Sequence, residues 1–140
     1  MMQKTHKKSE HPGRGQSIIE FALVLPIIIM LMLGLLDFGR AFFTLIALDD
    51  AADEGASYAS IRPNDVDGIQ QRTVEASTRL ISIETADVSV VYPSSLSVGQ
   101  PITVTVDFFF DIYTPFVAGL LPEGELTLQG SSTHPIISVR

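Results

Sequence analysis

With 140 residues, 46% of them hydrophobic, the chain can bury one modest core and still hold one membrane segment. Its net charge of −7 is unevenly spread: Lys4, Lys7, Lys8 and Arg14 against Glu10 give the first 15 residues +3, which leaves −10 for the remainder. An acidic body without a basic patch argues against a nucleic-acid partner, which would require Lys and Arg to displace counterions. The absence of cysteine excludes disulfides, thiolate metal sites and a cysteine nucleophile.

From Phe21 to Leu36 run 16 consecutive uncharged, almost wholly apolar residues, and Ser17 to Glu20 extend them to a 20-residue span. At 1.5 Å per residue this covers about 30 Å, the thickness of one hydrocarbon core. A stretch such as Leu31-Met32-Leu33-Gly34-Leu35-Leu36 has no polar face, so a buried helix of a soluble protein fits it less well than a span. Basic residues outnumber the single Arg40 close behind the span, which places the N-terminus in the cytoplasm and the rest outside it. Pro26 is tolerated in such a span and introduces a bend. The helical pattern then continues through Ala41, Leu45, Leu48, Ala52, Ala56 and Ala59, with Asp49, Asp50, Asp53 and Ser57 on another side. One bent helix of roughly 40 residues, ending near Pro63, is the economical expectation.

A second helix is predicted to start at Asn64 or Asp65, either a good cap, with Val66, Ile69, Thr73, Ala76, Leu80 and Ile83 along its apolar stripe. Gln70, Arg72, Glu75 and Arg79 should face water. After Glu84 the period changes to two. Ile102, Val104, Val106, Phe108, Phe110 and Ile112 alternate with Thr103, Thr105, Asp107, Phe109, Asp111 and Tyr113, the pattern of a half-buried strand. Shorter strands are expected at Val88 to Tyr92, Glu125 to Gly130 and Ile136 to Val139, separated at Pro93, Gly99-Gln100-Pro101 and Leu121-Pro122-Glu123-Gly124. The predicted fold is membrane-anchored α+β: a long N-terminal transmembrane helix, a second helix, and a small antiparallel sheet of three or four strands. The second helix and the outer half of the first are expected to cover the sheet.

The junction Arg14-Gly15-Gln16-Ser17-Ile18-Ile19-Glu20-Phe21 joins a basic hydrophilic leader to a span that opens with a carboxylate. A secretory signal is cut after its apolar region, and no convincing Ala-x-Ala follows Leu36, so a cut here would fall before the span. Prepilins are cut in this way, after a glycine, with Glu as the fifth residue of the mature chain; counting Gln16 as one, Glu20 is five. A carboxylate in a membrane helix costs up to ~3 kcal/mol near the centre and less near an end, unless it is paired. The α-amino group of a neighbouring subunit would pair it. The plainer alternative is a carboxylate that snorkels to the inner interface.

In combination, Arg14-Gly15-Gln16, Glu20-Phe21-Ala22-Leu23, Pro26, Asp37-Phe38-Gly39-Arg40 and Ala51-Ala52-Asp53-Glu54-Gly55-Ala56 resemble the TadE-like proteins of tight-adherence (Tad) pilus systems, relatives of the Flp pilins. The resemblance is close from Arg14 to about Ala59 and is pilin-like in style beyond Ile102. It departs at Asp53, where the family commonly has Arg. It implies a pseudopilin or minor pilin that acts in pilus assembly and surface adherence and is not an enzyme. A prepilin peptidase would cut it between Gly15 and Gln16, and its partners would be other pilins or pseudopilins, the Tad assembly machinery and membrane lipid. The expected organisation is a leader over 1–15, the membrane helix and its extension over 16–60, and an extracytoplasmic α+β domain over 61–140. The expected location is the cytoplasmic membrane, single pass, with incorporation into a surface pilus.

Other signals are weaker. Asp37-Phe38-Gly39 has the letters of the kinase magnesium motif, but no Gly-rich loop or His-Arg-Asp loop accompanies it. Asp37 and Arg40 instead suit an interfacial pair at helical spacing, or a solvated boundary. Asp49, Asp50, Asp53 and Glu54 read as solvated helix surface before a cation site, and Asp65-Val66-Asp67-Gly68 as a helix start before a calcium loop. His134 stands alone in the chain after the leader, so no zinc site or cofactor is expected. The rival function, from another class, is an uncleaved signal-anchored membrane protein whose exported domain binds a ligand or a secretion complex.

Overall fold

The computed structural model describes residues 13–77, 81–119 and 125–139. Helix α1 runs unbroken over Gly13–Ile61, 49 residues, with Pro26 inside it. The expected leader, apart from its last residues, lies outside the described residues. The helix is sustained in its first half by an apolar sequence that has no other way to satisfy its backbone in lipid. In its second half alanine, the best helix former, takes over at Ala51, Ala52, Ala56 and Ala59. It stops before Arg62-Pro63, as a residue preceding proline is pushed out of helical conformation.

Helix α2, Val66–Ser77, is started by Asp65. The Asp65 carboxylate accepts the Gly68 N–H at 3.1 Å and the Tyr58 hydroxyl at 2.7 Å, and its carbonyl accepts the Ile69 N–H at 3.0 Å. The apolar stripe is rotated from the predicted one. Ile69, Thr73 and Ser77 are buried, whereas Val66 and Ala76 are exposed. Ile83 is buried but lies beyond the helix in an irregular stretch, and Leu80 is outside the described residues. Gln70, expected in water, is half-buried and donates to the Val88 carbonyl at 3.1 Å. Arg72 and Glu75 are exposed as expected.

The sheet has three strands, β1 (Val88–Val91), β2 (Pro101–Asp111) and β3 (Glu125–Pro135), antiparallel in the order β1-β2-β3. The alternation read in β2 is borne out: Ile102, Val104, Val106 and Phe110 are buried, and Phe109 is exposed on the other face. The strand expected over Glu125 to Gly130 runs on to Pro135. Gly130 pairs with Val106 and the ladder continues without interruption to Pro135 opposite Pro101. Ile136 to Val139 form no strand of their own, because the Ile137 and Ser138 N–H groups both donate to the Ser60 carbonyl at the end of α1. A one-turn helix α3, Pro115–Ala118, follows β2, with Thr114 as its cap and proline in its first turn, where a missing N–H costs nothing.

Helix α1 packs on β2 and β3, and α2 packs on α1 and β1. Leu48, Ala52, Ala56 and Ala59 of α1 share one core with Ile69, Val88, Ile102, Val104, Val106 and Ile136. Small residues let the layers approach closely. A Cβ at Gly55 would collide with the Thr73 hydroxyl, and one at Gly130 would run into the backbone of Leu48. Strand β2 runs against α1: Arg40 Nη1 donates to the Asp111 carbonyl at 3.4 Å at one end, and residue 137 is tied to Ser60 at the other.

Candidate functional site

The predicted site residues gather in the first turns of α1. Gln16 Nε2 donates to Glu20 Oε1 at 3.1 Å, the i to i+4 geometry of one helical face, and both residues are exposed. Gly15 is one residue earlier, with no atom within 4 Å of where a Cβ would stand. Glycine in a helix is about 1 kcal/mol worse than alanine, and among the described residues no contact requires glycine at that position. Pro26 lies six residues beyond Glu20, amid side chains from Ile18 to Leu36 that are exposed along the helix. This is one N-terminal helix long and apolar enough to cross a membrane, and none of its most apolar window is buried by the rest of the chain. It makes the chain a single-pass membrane anchor.

At the outer end of the apolar stretch, Asp37 does more than pair with Arg40. It is only 7% exposed. Its Oδ2 accepts the Thr114 N–H at 2.8 Å and the Thr114 hydroxyl at 2.6 Å, and its Oδ1 accepts the Tyr113 N–H at 3.3 Å. Arg40 Nη1 donates to the same Oδ1 at 3.1 Å, and the guanidinium stacks 3.9 Å from the Tyr113 ring centre and 4.9 Å from that of Phe110. The carboxylate therefore fixes Thr114, the cap residue of α3, and ties the loop after β2 to the root of the membrane helix. No local signal marks Thr114 as its partner, 77 positions away in sequence.

About three to four turns further out, the acidic face of α1 holds β3. Asp49 Oδ1 accepts the Ser131 N–H at 3.2 Å. Asp53 Oδ1 accepts the Ser132 hydroxyl at 2.8 Å and lies 2.8 Å from His134 Nε2. These contacts hold the Asp53 carboxyl below its ordinary value of 3.8, His134 contributing most and Ser132 next. The Asp65 carboxyl is lowered likewise, by the Tyr58 hydroxyl first and the Gly68 N–H second. Asp49 and Asp53 are thus committed to the sheet. Among the described residues no group of three His, Asp or Glu side chains is placed to hold a metal ion.

A glycine and a glutamate five residues apart, at the head of an uncovered apolar helix that runs on into an Ala-rich packed half, form a combination with a known counterpart. Residues 15–57 match the TadE-like protein family. The matched segment covers Gly15, Gln16, Glu20, Pro26, Asp37 and most of the packed half of α1. No curated protein and no solved structure matches the chain. Asp53 falls inside the matched segment, and its partners are Ser132 and His134 of β3. The α2 and sheet region lies beyond the match.

Proposed function

We propose that the protein is a pseudopilin or minor pilin of a Tad pilus, cut by a prepilin peptidase between Gly15 and Gln16 and acting in pilus assembly and adherence without catalysis of its own. Residues 1–15 are the leader, 16–60 the membrane helix with its extension, and 61–140 the domain presented outside the cytoplasm. The observation that carries this reading is the spacing of Gly15, which no contact among the described residues requires, and Glu20, which accepts from Gln16 on the same exposed helical face. Cutting after Gly15 leaves Gln16 carrying a free α-amino group one helical turn below Glu20. In an assembly of staggered helices the amine of one subunit reaches the Glu20 carboxylate of another, and in lipid that attraction is weakly screened. Pro26 bends or loosens the helix between this contact and the domain.

The test is the N-terminal residue of the protein extracted from membranes of cells with an active prepilin peptidase. Gln16 at the terminus is the expected result. Chains that all retain Lys4 to Arg14 would overturn the reading and leave an uncleaved signal anchor in its place.

A further inference from the structure

The outward apolar face of α1 does not end where the span does. Phe38, Phe42, Phe43 and Ile46 are 69%, 54%, 73% and 42% exposed, while the two charged residues among them, Asp37 and Arg40, turn inward to Thr114, Tyr113 and the Asp111 carbonyl. From Ile18 to Ile46 the exposed apolar face is about 42 Å long, against about 30 Å for a hydrocarbon core and about 40–45 Å for a bilayer with its headgroup layers. Tilting the helix to hide the difference in hydrocarbon would take about 45°, beyond the usual range of about 0–40°. With the 20-residue span from Ser17 to Leu36 across the core, Asp37 to Arg40 enter the outer headgroup layer and Phe42 and Phe43 stand at its edge, within about 10 Å of Leu36.

The domain is held at the same level. The Asp37 tie sets Thr114 beside the root of the helix, and Tyr113 next to it is 71% exposed. Phe109, also exposed, lies two residues before the end of β2 on its outer face. An open groove of about 480 Å³, lined by Phe43, Ile46, Ile81 and Phe108 to Phe110, opens between α1 and β2 at this height. Arg40 is paired with Asp37 and stacks on the Tyr113 and Phe110 rings, with part of its side chain still exposed. The Asp111 side chain is exposed here and suits a headgroup layer better than hydrocarbon. The acidic cluster that anionic lipid would repel starts at Asp49, about 20 Å beyond Leu36 along the helix.

We infer that this end of the domain is seated in the lipid headgroup layer, so that Phe42, Phe43, Phe109 and Tyr113 hold the sheet against the membrane surface in addition to the span. Aromatic side chains with one apolar and one wet side are suited to that layer. The inference rests on the membrane-anchor reading of α1, and the experiment separates the two.

The chain lacks cysteine, so single cysteines can carry a nitroxide at Leu25, Phe43, Tyr113 and Ser97 in the full-length protein. Phe43 and Tyr113 are exposed and Ser97 is in the loop before β2, so these labels spare the core. The protein is placed at one copy per nanodisc of phosphatidylcholine and phosphatidylglycerol, and collisions with a water-soluble nickel chelate and with oxygen are measured. Labels at Phe43 and Tyr113 should show a several-fold loss of nickel collisions relative to Ser97, with Leu25 deeper still. If both were as accessible as Ser97 while Leu25 was protected, the seat would be refuted and the anchor kept. An accessible Leu25 would refute the anchor itself. Protection that appears only when several copies share a disc would show a contact between subunits and overturn the lipid assignment.

Discussion

Replacing Gly130 by alanine adds one methyl group where β3 crosses α1. That methyl would meet the Leu48 carbonyl carbon, and would stand 2.6 Å from both the Leu48 oxygen and its Cβ. Ordinary carbon contacts lie at about 3.5–4.0 Å, so β3 must lift from the helix by about 1 Å. Most of the obstruction is backbone, so truncating the Leu48 side chain would not relieve it. Overpacking of this kind costs about 1–3 kcal/mol. The lift also strains the neighbouring bonds from Ser131 and Ser132 to Asp49 and Asp53, now 3.2 and 2.8 Å, which as exposed contacts contribute little each. The expected loss is about 2–4 kcal/mol in all, or roughly 10–20 °C in melting temperature for a domain of this size. Scanning calorimetry of the full chain in detergent measures it, with Gly34→Ala, which adds a methyl in open space, as the control. A Gly130→Ala protein that melts with the parent would refute the close packing of β3 on α1.

Glu20→Gln should leave a stable, processed protein in the membrane but reduce pili and co-purifying partners; unchanged pili would make Glu20 a simple interfacial carboxylate. Gly15→Leu should accumulate uncut precursor on immunoblots, and normal processing would put the cut elsewhere. Asp37→Asn keeps the shape but loses the ionic acceptor of the Thr114 N–H and hydroxyl, so limited proteolysis should cut more readily around residues 113–119 while the sheet core stays resistant. The Asp53 and Asp65 carboxyls titrate below 3.8 when folded, so their contribution to stability is present above about pH 4 and lost as pH falls through the lower folded values. Melting temperature should therefore drop between pH 5 and pH 2.5 along a shallower slope in Asp53→Asn, and identical slopes would exclude the Asp53 contacts as a source.

Some elements are legible because their signals are local. The alternation from Ile102 to Phe110 and the stripe Leu48, Ala52, Ala56 and Ala59 each follow from the direction in which successive side chains point, and both are buried as read. The face of α2 is different, since the choice is made by its neighbour. Thr73 enters the core because Gly55 leaves room for it and its hydroxyl is satisfied by the Ile69 carbonyl at 2.9 Å, so a polar residue wins over Val66 and Ala76. Gly130 is read as the end of a strand for a related reason, because its purpose, close approach to Leu48, belongs to another element. In the candidate site, Gly15, Glu20 and the span are visible in sequence, being set by spacing. The β-region partners of Asp37, Asp49 and Asp53 are 76 to 82 positions away and have no local mark.

The 49 residues of α1 join the membrane to the sheet without a linker, and Asp37 fastens the domain at the point where the span ends. The chain therefore behaves as a shaft with its head fixed to it. A force that lifts the inner end of the helix, or a torque that turns it about its axis, is delivered undiminished to the sheet, because no flexible segment intervenes to absorb it. Any compliance along α1 has to come from Pro26, below the domain and within the bilayer, so the orientation of the outer face is steered from inside the membrane.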